Sequence, residues 1–545
     1  MWRSKVTATA LTALLVALGP SLSPALAGAQ ETTTDENSVV EGSSIESGAS
    51  TEYTYQATDT DLPSTTRGRQ FLQLSVDTVA PGTVTTSSEP FVTVQATVTN
   101  TGDRRVDDIS VRMQSADRVD EPEQLRTTLS VESDEFANVG EFVPVADSLE
   151  QGASRQFVIS LPLRSVDGPS LGVDVPGVYP VLLNVNGTPE YGGTARLDDA
   201  RFLLPVTGVP RDPTNPDPMN PAAVPVPPPT SDPVATTLLW PLADKPRLAA
   251  GLAGSIDEKV RLVDDELSGE LSSGGRLDQL LEAVEFATTD ELDPEDRLAQ
   301  STCLAVDPDL LVTVSNMTRG YLVVDNPADP NGPAREGTGA DAASDWLSRL
   351  EALADTMCVT AVPFAQVDLD TLGNVGDASL ASAALESPAD IVDTILGATS
   401  VRGLVWSSSG QLGETAAATV RSVGPRTALL ADNSIAPGAA GAVARVVGGT
   451  AVDAELNTTV FDAPTATALA GVGDSPATPA FTPDDQRYDL AGDSRTARLQ
   501  DALGAVAYHA LAPVDGSPRT LTIAPPQYWT AGDDEPAAIL STVSS

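Results

Sequence analysis

The chain of 545 residues carries 76 acidic and 31 basic side chains, a formal net charge of -45. A surface that negative repels phosphate backbones and anionic headgroups, which argues against nucleic-acid binding. An acidic excess of this kind serves solubility in an exported protein more often than it holds cations.

The chain opens with Arg3 and Lys5, an apolar run from Val6 to Leu18, then Pro20, Pro24 and the small-residue triplet Ala25-Leu26-Ala27. This is the order of a secretory signal and its cleavage site, and the run is shorter than the ~20 residues that span a bilayer. Residues 1–27 are therefore expected to be a signal peptide, and residues 28–68, rich in Thr, Ser, Glu and Asp, a disordered leader. No later stretch is long and apolar enough to cross a membrane. The expected location is outside the cell or in its envelope.

From Phe71 the pattern becomes strict alternation, as in Phe91-Val92-Thr93-Val94-Gln95-Ala96-Thr97-Val98. Similar runs recur around Ile109, Phe157, Val178 and Phe202, with turn residues between them. About seven such strands predict an immunoglobulin-like β-sandwich over 69–206. Residues 207–235 are dense in proline, which fixes φ and removes amide donors, and read as a semi-rigid linker.

Beyond it, short apolar runs alternate with helical patterns. The runs are 238–241, 303–306, 359–363, 403–406, 428–431, 459–461 and 520–524. Between them, Trp346, Leu347, Leu350 and Leu353 share one helical face, as do Leu499, Leu503, Val506 and Ala510. This predicts an α/β domain over 236–530 with a parallel sheet, first as an incomplete (β/α) barrel and second as a doubly wound open sheet, with 531–545 as a flexible tail. Cys303 and Cys358 each open one of the runs, so neighbouring parallel strands would set them level for a disulfide. Closing a loop of that length is worth about 4 kcal/mol in the chain-entropy account.

In either architecture chemistry belongs at the C-terminal strand ends. Those ends carry Asp244, Asp307, Asp309, Asp368 and Asp432 as candidate catalytic acids, with Ser407, Ser408, Asn433, Asp462, Gln527, Tyr528 and Trp529 beside them. A ring of carboxylates with aromatic neighbours suits glycan hydrolysis, where two acids share the work. Capping competes with that reading: Asp307-Pro308-Asp309 is also an N-cap, a first-turn proline and a first-turn acid, and the capping reading is preferred.

The lone histidine, His509, lies inside a helical pattern and is read as an edge-of-core residue. It leaves zinc hydrolases that use a histidine pair without ligands, and no Gly-x-Ser-x-Gly elbow follows a strand. Neither a P-loop nor a strand-linked Gly-x-Gly-x-x-Gly is present, and no metal or cofactor is expected. Acidic runs such as Asp264-Asp265-Glu266 and Asp533-Asp534-Glu535 do not follow the calcium-loop pattern.

The segments LLWPLADKPRL, VDDELSGELSSGGRLDQLLEA, CLAVDPDLL, WLSRLEALA, TAVPFAQVDLDTL and PRTLTIAPPQYW stand in that order behind LQLSVDTVAPGTV. This series resembles an exported actinobacterial family of unknown function whose genes lie beside that of the lipid II flippase. The resemblance runs from about Phe71 to Trp529, and WPLADKPRL and VDPDLL carry most of it. It implies an envelope protein with a binding or scaffolding role near peptidoglycan synthesis, with envelope proteins or peptidoglycan precursors as partners. It carries over no catalytic residues. A glycan-active hydrolase is the alternative.

Overall fold

The computed structural model describes residues 71–545 other than 167, 213–214, 216–218, 221–222, 230–232, 251–257, 425, 436–455 and 513–518. The signal peptide and leader expected over 1–68 lie outside the described residues. The described chain is mixed α/β with several sheets.

Strands β1 (Leu72–Ala80), β2 (Phe91–Asn100), β3 (Val106–Ser115), β4 (Asn138–Val139), β5 (Val143–Leu149), β6 (Ser154–Pro162), β7 (Gly177–Pro189) and β8 (Ala195–Val206) pair antiparallel in two sheets. One sheet has the order β1-β2-β6, the other β4-β3-β7-β8, with β5 also on β3. The alternation does what period-two patterning requires: Val92, Val94, Ala96 and Val98 of β2 are all fully buried, and so are Val181, Leu183 and Val185 of β7 in the same core. Strand β7 is buried on both faces. Its Val178, with Leu203 of β8, packs into a second core shared with the helix Arg495–Leu511.

That helix ties the antiparallel strands to the rest. A Cβ on Gly504 would lie 2.6 Å from Leu203 Cβ, so only glycine permits this approach. Asp501 Oδ1 accepts from Leu203 N at 3.0 Å, and Tyr488 donates its hydroxyl proton to Asp501 Oδ2 and accepts from Arg126 Nη1, each at 3.0 Å. Burial pushes the Asp501 carboxyl up to about 8.

The described part of the proline-rich stretch is not a free spacer. Val209 and Val226 bridge antiparallel, and Arg164 Nη2 donates to the carbonyls of Pro210 (2.7 Å) and Val224 (2.8 Å). Proline removes donors but leaves carbonyls, and the buried Arg164 guanidinium takes up two of them.

The remaining strands are β9 (Val234–Leu242), β10 (Arg261–Leu262), β11 (Thr302–Val306), β12 (Leu322–Val324), β13 (Ala334–Glu336), β14 (Cys358–Ala361), β15 (Leu404–Trp406), β16 (Thr427–Ala431), β17 (Asn457–Phe461) and β18 (Arg519–Ile523). Parallel pairing gives two sheets, β14-β11-β9-β18 and β15-β16-β17, while β10-β12-β13 is a small separate one. The two parallel sheets touch at both margins: Val401 N donates to Val359 O at 2.8 Å, and Asp462 N to Thr522 O at 3.0 Å. Cys303 and Cys358 are direct register partners on β11 and β14 and form a disulfide. Behind the sheet, Trp240 and Trp529 meet edge to face at 5.3 Å, and each indole donates to a helix carbonyl, Leu280 O and Leu469 O.

The expected flexible tail is instead a helix, Glu535–Ser544, with Ile539 and Leu540 buried. Pro536 starts it, and the Arg495 guanidinium grips Glu535 through two bonds of 2.6 and 2.8 Å.

Candidate functional site

The five candidate acids do not form one cluster. Asp244, two residues beyond β9, is buried between two guanidiniums: Arg247 Nε lies 2.9 Å from Oδ2 and Arg276 Nη2 lies 3.0 Å from Oδ1. Arg247 also reaches Asp264 (2.8 Å) and Glu266 (2.7 Å). Burial works against the Arg247 charge, but Asp244, Glu266 and Asp264 outweigh it and hold it protonated. Two partners of opposite sign make Asp244 a fixed counter-ion.

Asp307 follows β11 and caps the helix Pro308–Met317, accepting from Asp309 N at 2.9 Å. The same oxygen accepts from Ala365 N at 3.1 Å, and the other from Gln366 Nε2 at 3.2 Å. Burial raises the Asp307 carboxyl to about 7, against the backbone bond from Asp309. Asp309, in the first turn of that helix, is 6% exposed, and its carboxylate accepts no hydrogen bond among the described residues. Burial, and then the charge of Asp244, push it to about 6. Asp244, Asp307 and Asp309 therefore share one neighbourhood at the ends of β9 and β11.

Gln366, which sequence reasoning did not single out, ties this neighbourhood to β14. Its Nε2 also donates to Asp244 O at 2.8 Å. It sits in a short turn in which Ala365 (φ 54°) and Gln366 (φ 52°) both adopt left-handed backbone without being glycine. Such positions cost ~1–2 kcal/mol each and persist only where the surroundings fix them. Nothing in the string Pro363-Phe364-Ala365-Gln366 announces that turn.

Asp368 stands apart as the cap of Leu369–Val375, accepting from Thr371 N at 2.7 Å. Asp432 belongs to a second group at the ends of β16 and β17, where its Oδ1 accepts from Ala463 N at 3.2 Å. Asp462 caps Ala463–Ala470 through Thr465 N (2.8 Å), and His509 Nε2 lies 3.0 Å from its other oxygen. Burial alone would raise the Asp462 carboxyl, but the His509 contact overrides it and holds it below the usual range. Ser407 is tied to Gln411 O, and Gln527 donates to Trp406 O.

Tyr528, half-buried after β18, faces two cations: the Arg276 guanidinium at 4.7 Å and the Lys245 ammonium at 5.5 Å from its ring centre. Arg276 further bonds Glu270 Oε2 (3.0 Å) and the carbonyls of Ala243 and Trp529. Sequence reading placed Tyr528 at a strand end but gave no sign of Arg276, which arrives from a helix more than two hundred residues earlier.

No family model matches the chain, and no curated protein matches it. A CARDB domain from Pyrococcus furiosus, solved in complex with di-metal ions, is similar over 25% of this chain and 86% of its own, at 15% identity and a TM-score of 0.15. A β-glucosidase from Listeria innocua in complex with glucose is similar over 25% of this chain and 16% of its own, at 18% identity and 0.15. A Bacillus anthracis chain provisionally described as a polysaccharide deacetylase is similar over 72% and 94%, at 10% identity and 0.17. At TM-scores this low, none of these likenesses bears on fold or activity.

Proposed function

We propose that this is an exported envelope protein of the actinobacterial type, with a binding or scaffolding role near peptidoglycan synthesis and no hydrolytic activity of its own. In this reading the antiparallel region is an immunoglobulin-like sandwich and the parallel strands form a barrel. The hydrogen bonds at both sheet margins favour a barrel over an open sheet. The disulfide and the absence, among the described residues, of any helix long and apolar enough to cross a membrane are consistent with export.

The observation that carries the reading is the occupation of the strand-end acids. Asp244 is neutralised by two arginines, Asp307, Asp368 and Asp462 cap helices, and Asp432 accepts from Ala463 N. A two-carboxylate hydrolase needs both groups free to reach the scissile bond. Incubating the exported protein with purified sacculi tests this directly: retention without release of soluble product is expected, and failure to bind either sacculi or envelope enzymes would sink it.

One observation favours glycan hydrolysis as a second reading. Asp309 is a buried acid whose carboxylate accepts no hydrogen bond among the described residues, raised towards neutrality beside Asp244. Product release that disappears in Asp309→Asn would establish that reading in place of the first.

A further inference from the structure

Beside Tyr528 lies a polar cavity of about 350 Å³, lined by Glu270, Arg276, Gln279, Asp474, Arg495 and Asp533 together with Ser475, Thr530 and two glycines. Its walls are fixed by mutual pairing. Arg276 is held by Asp244 and Glu270, and Arg495 by Asp474 (2.9 Å), Asp533 (2.9 Å) and Glu535 (2.6 Å). Beside the lining residue Asp474 the backbone is close-packed as well: a Cβ on Gly473 would lie 2.2 Å from Thr530 O. Both guanidiniums and all three lining carboxylates are therefore committed to one another.

The groups left over are uncharged. Gln279 Oε1 accepts from Asp533 N at 2.9 Å, which leaves its Nε2 donors without a partner among the described residues. Thr530 Oγ1 accepts from Ser475 N at 3.1 Å, while the hydroxyls of Ser475 and Tyr528 have no partner among the described residues. The Tyr528 ring adds a half-buried aromatic surface pinned by Arg276.

We propose that this cavity is a binding subsite for an uncharged, hydroxyl-rich ligand, a saccharide unit of a glycan. A phosphate or other strong anion entering it meets Glu270, Asp474 and Asp533, and a cation meets Arg276 and Arg495, so neither gains a free counter-charge. A neutral polyol satisfies the spare amide and hydroxyls and packs its apolar C–H groups against the half-buried Tyr528 side chain. The volume lies at the lower end of the roughly 300–1,000 Å³ of ligand sites. The inference deepens the binding role proposed above by naming ligand class and place, and rests on that role only in taking this face of the chain to bind.

The test is calorimetric titration of the exported chain with cellotetraose, with the tetramer of N-acetylglucosamine, and with inorganic phosphate. Saturable binding of at least one oligosaccharide and none of phosphate is expected. Gln279→Glu keeps the acceptor for Asp533 N, removes the spare donors and adds a charge, and should weaken that binding about tenfold without lowering the melting temperature. Tyr528→Ala should abolish it. Absence of saturable binding of either oligosaccharide to the folded protein overturns the subsite, and so does phosphate competition or wild-type binding by Gln279→Glu. Should Tyr528→Ala fail to fold, Gln279→Glu alone decides. Sacculus retention separates the two claims: retention without saturable oligosaccharide binding keeps the envelope role and rejects the subsite, whereas oligosaccharide binding without retention does the reverse.

Discussion

At the residue scale, Asp309 is the group whose surroundings are most at odds with its charge. Its carboxyl is raised from an ordinary value near 4 to about 6, so the folded state holds a proton that the unfolded chain has released between those values. Stability therefore falls as pH rises through that window, and the loss is complete above about pH 6. Asp307, raised to about 7, and Asp501, raised to about 8, act in the same direction over wider windows, while the lowered Asp462 acts in the opposite one. Replacing Asp309 by Asn keeps the neutral shape at every pH. We expect Asp309→Asn to be more stable than the wild type by about 3 kcal/mol at pH 8 and nearly equal to it at pH 4, read as urea midpoints across that range. Parallel pH curves for the two proteins would contradict this account of the site. The acids themselves were legible in the sequence because each follows a short apolar run. Their roles were not: Arg247 stands only three residues from Asp244, but Arg276, its second partner, comes from a helix whose position only the fold supplies.

At the scale of elements, the Ala365-Gln366 turn and the β11–β14 pair give the clearest tests. Ala365 adopts φ 54°, where glycine bears no steric penalty. Ala365→Gly is expected to stabilise by up to ~1 kcal/mol and Ala365→Val to destabilise by more than that, measured by chemical denaturation. The disulfide joins strands already in register, so Cys303→Ala with Cys358→Ala should cost about 4 kcal/mol, mostly through the unfolded chain, and should leave the β11–β14 hydrogen-bond protection in place under native conditions. The strands were readable because period-two alternation and short β-branched runs have few other solutions, and all seven runs expected in the α/β region are strands of the parallel sheets. The helix Glu535–Ser544 escaped because its signal is slight: three branched apolar residues, Ile539, Leu540 and Val543, among alanine, serine and threonine. Its stability comes from Arg495 and from packing, neither of which is local.

At the scale of the molecule, the antiparallel strands and the parallel sheets share a core across the helix Arg495–Leu511 rather than hanging on a spacer. Alternation predicted a sandwich with one outward face per strand, but the continuous apolar run Val181-Leu182-Leu183 of β7 is the mark of a strand covered on both sides. Proline density suggested separation, because composition reports which donors are missing and not where the remaining carbonyls go. Gly504→Val should drive a side chain into Leu203, cost more than about 2 kcal/mol, and split one cooperative thermal transition into two. A single sharp transition in that variant would show that the close approach is dispensable. The central claim is that this strand-end face binds without hydrolysing, and the most direct measurement is product release from purified sacculi by the wild type and by Asp309→Asn. The account predicts that both proteins are retained and that neither releases soluble fragments. Fragments released by the wild type and not by Asp309→Asn would contradict it and make Asp309 a catalytic acid.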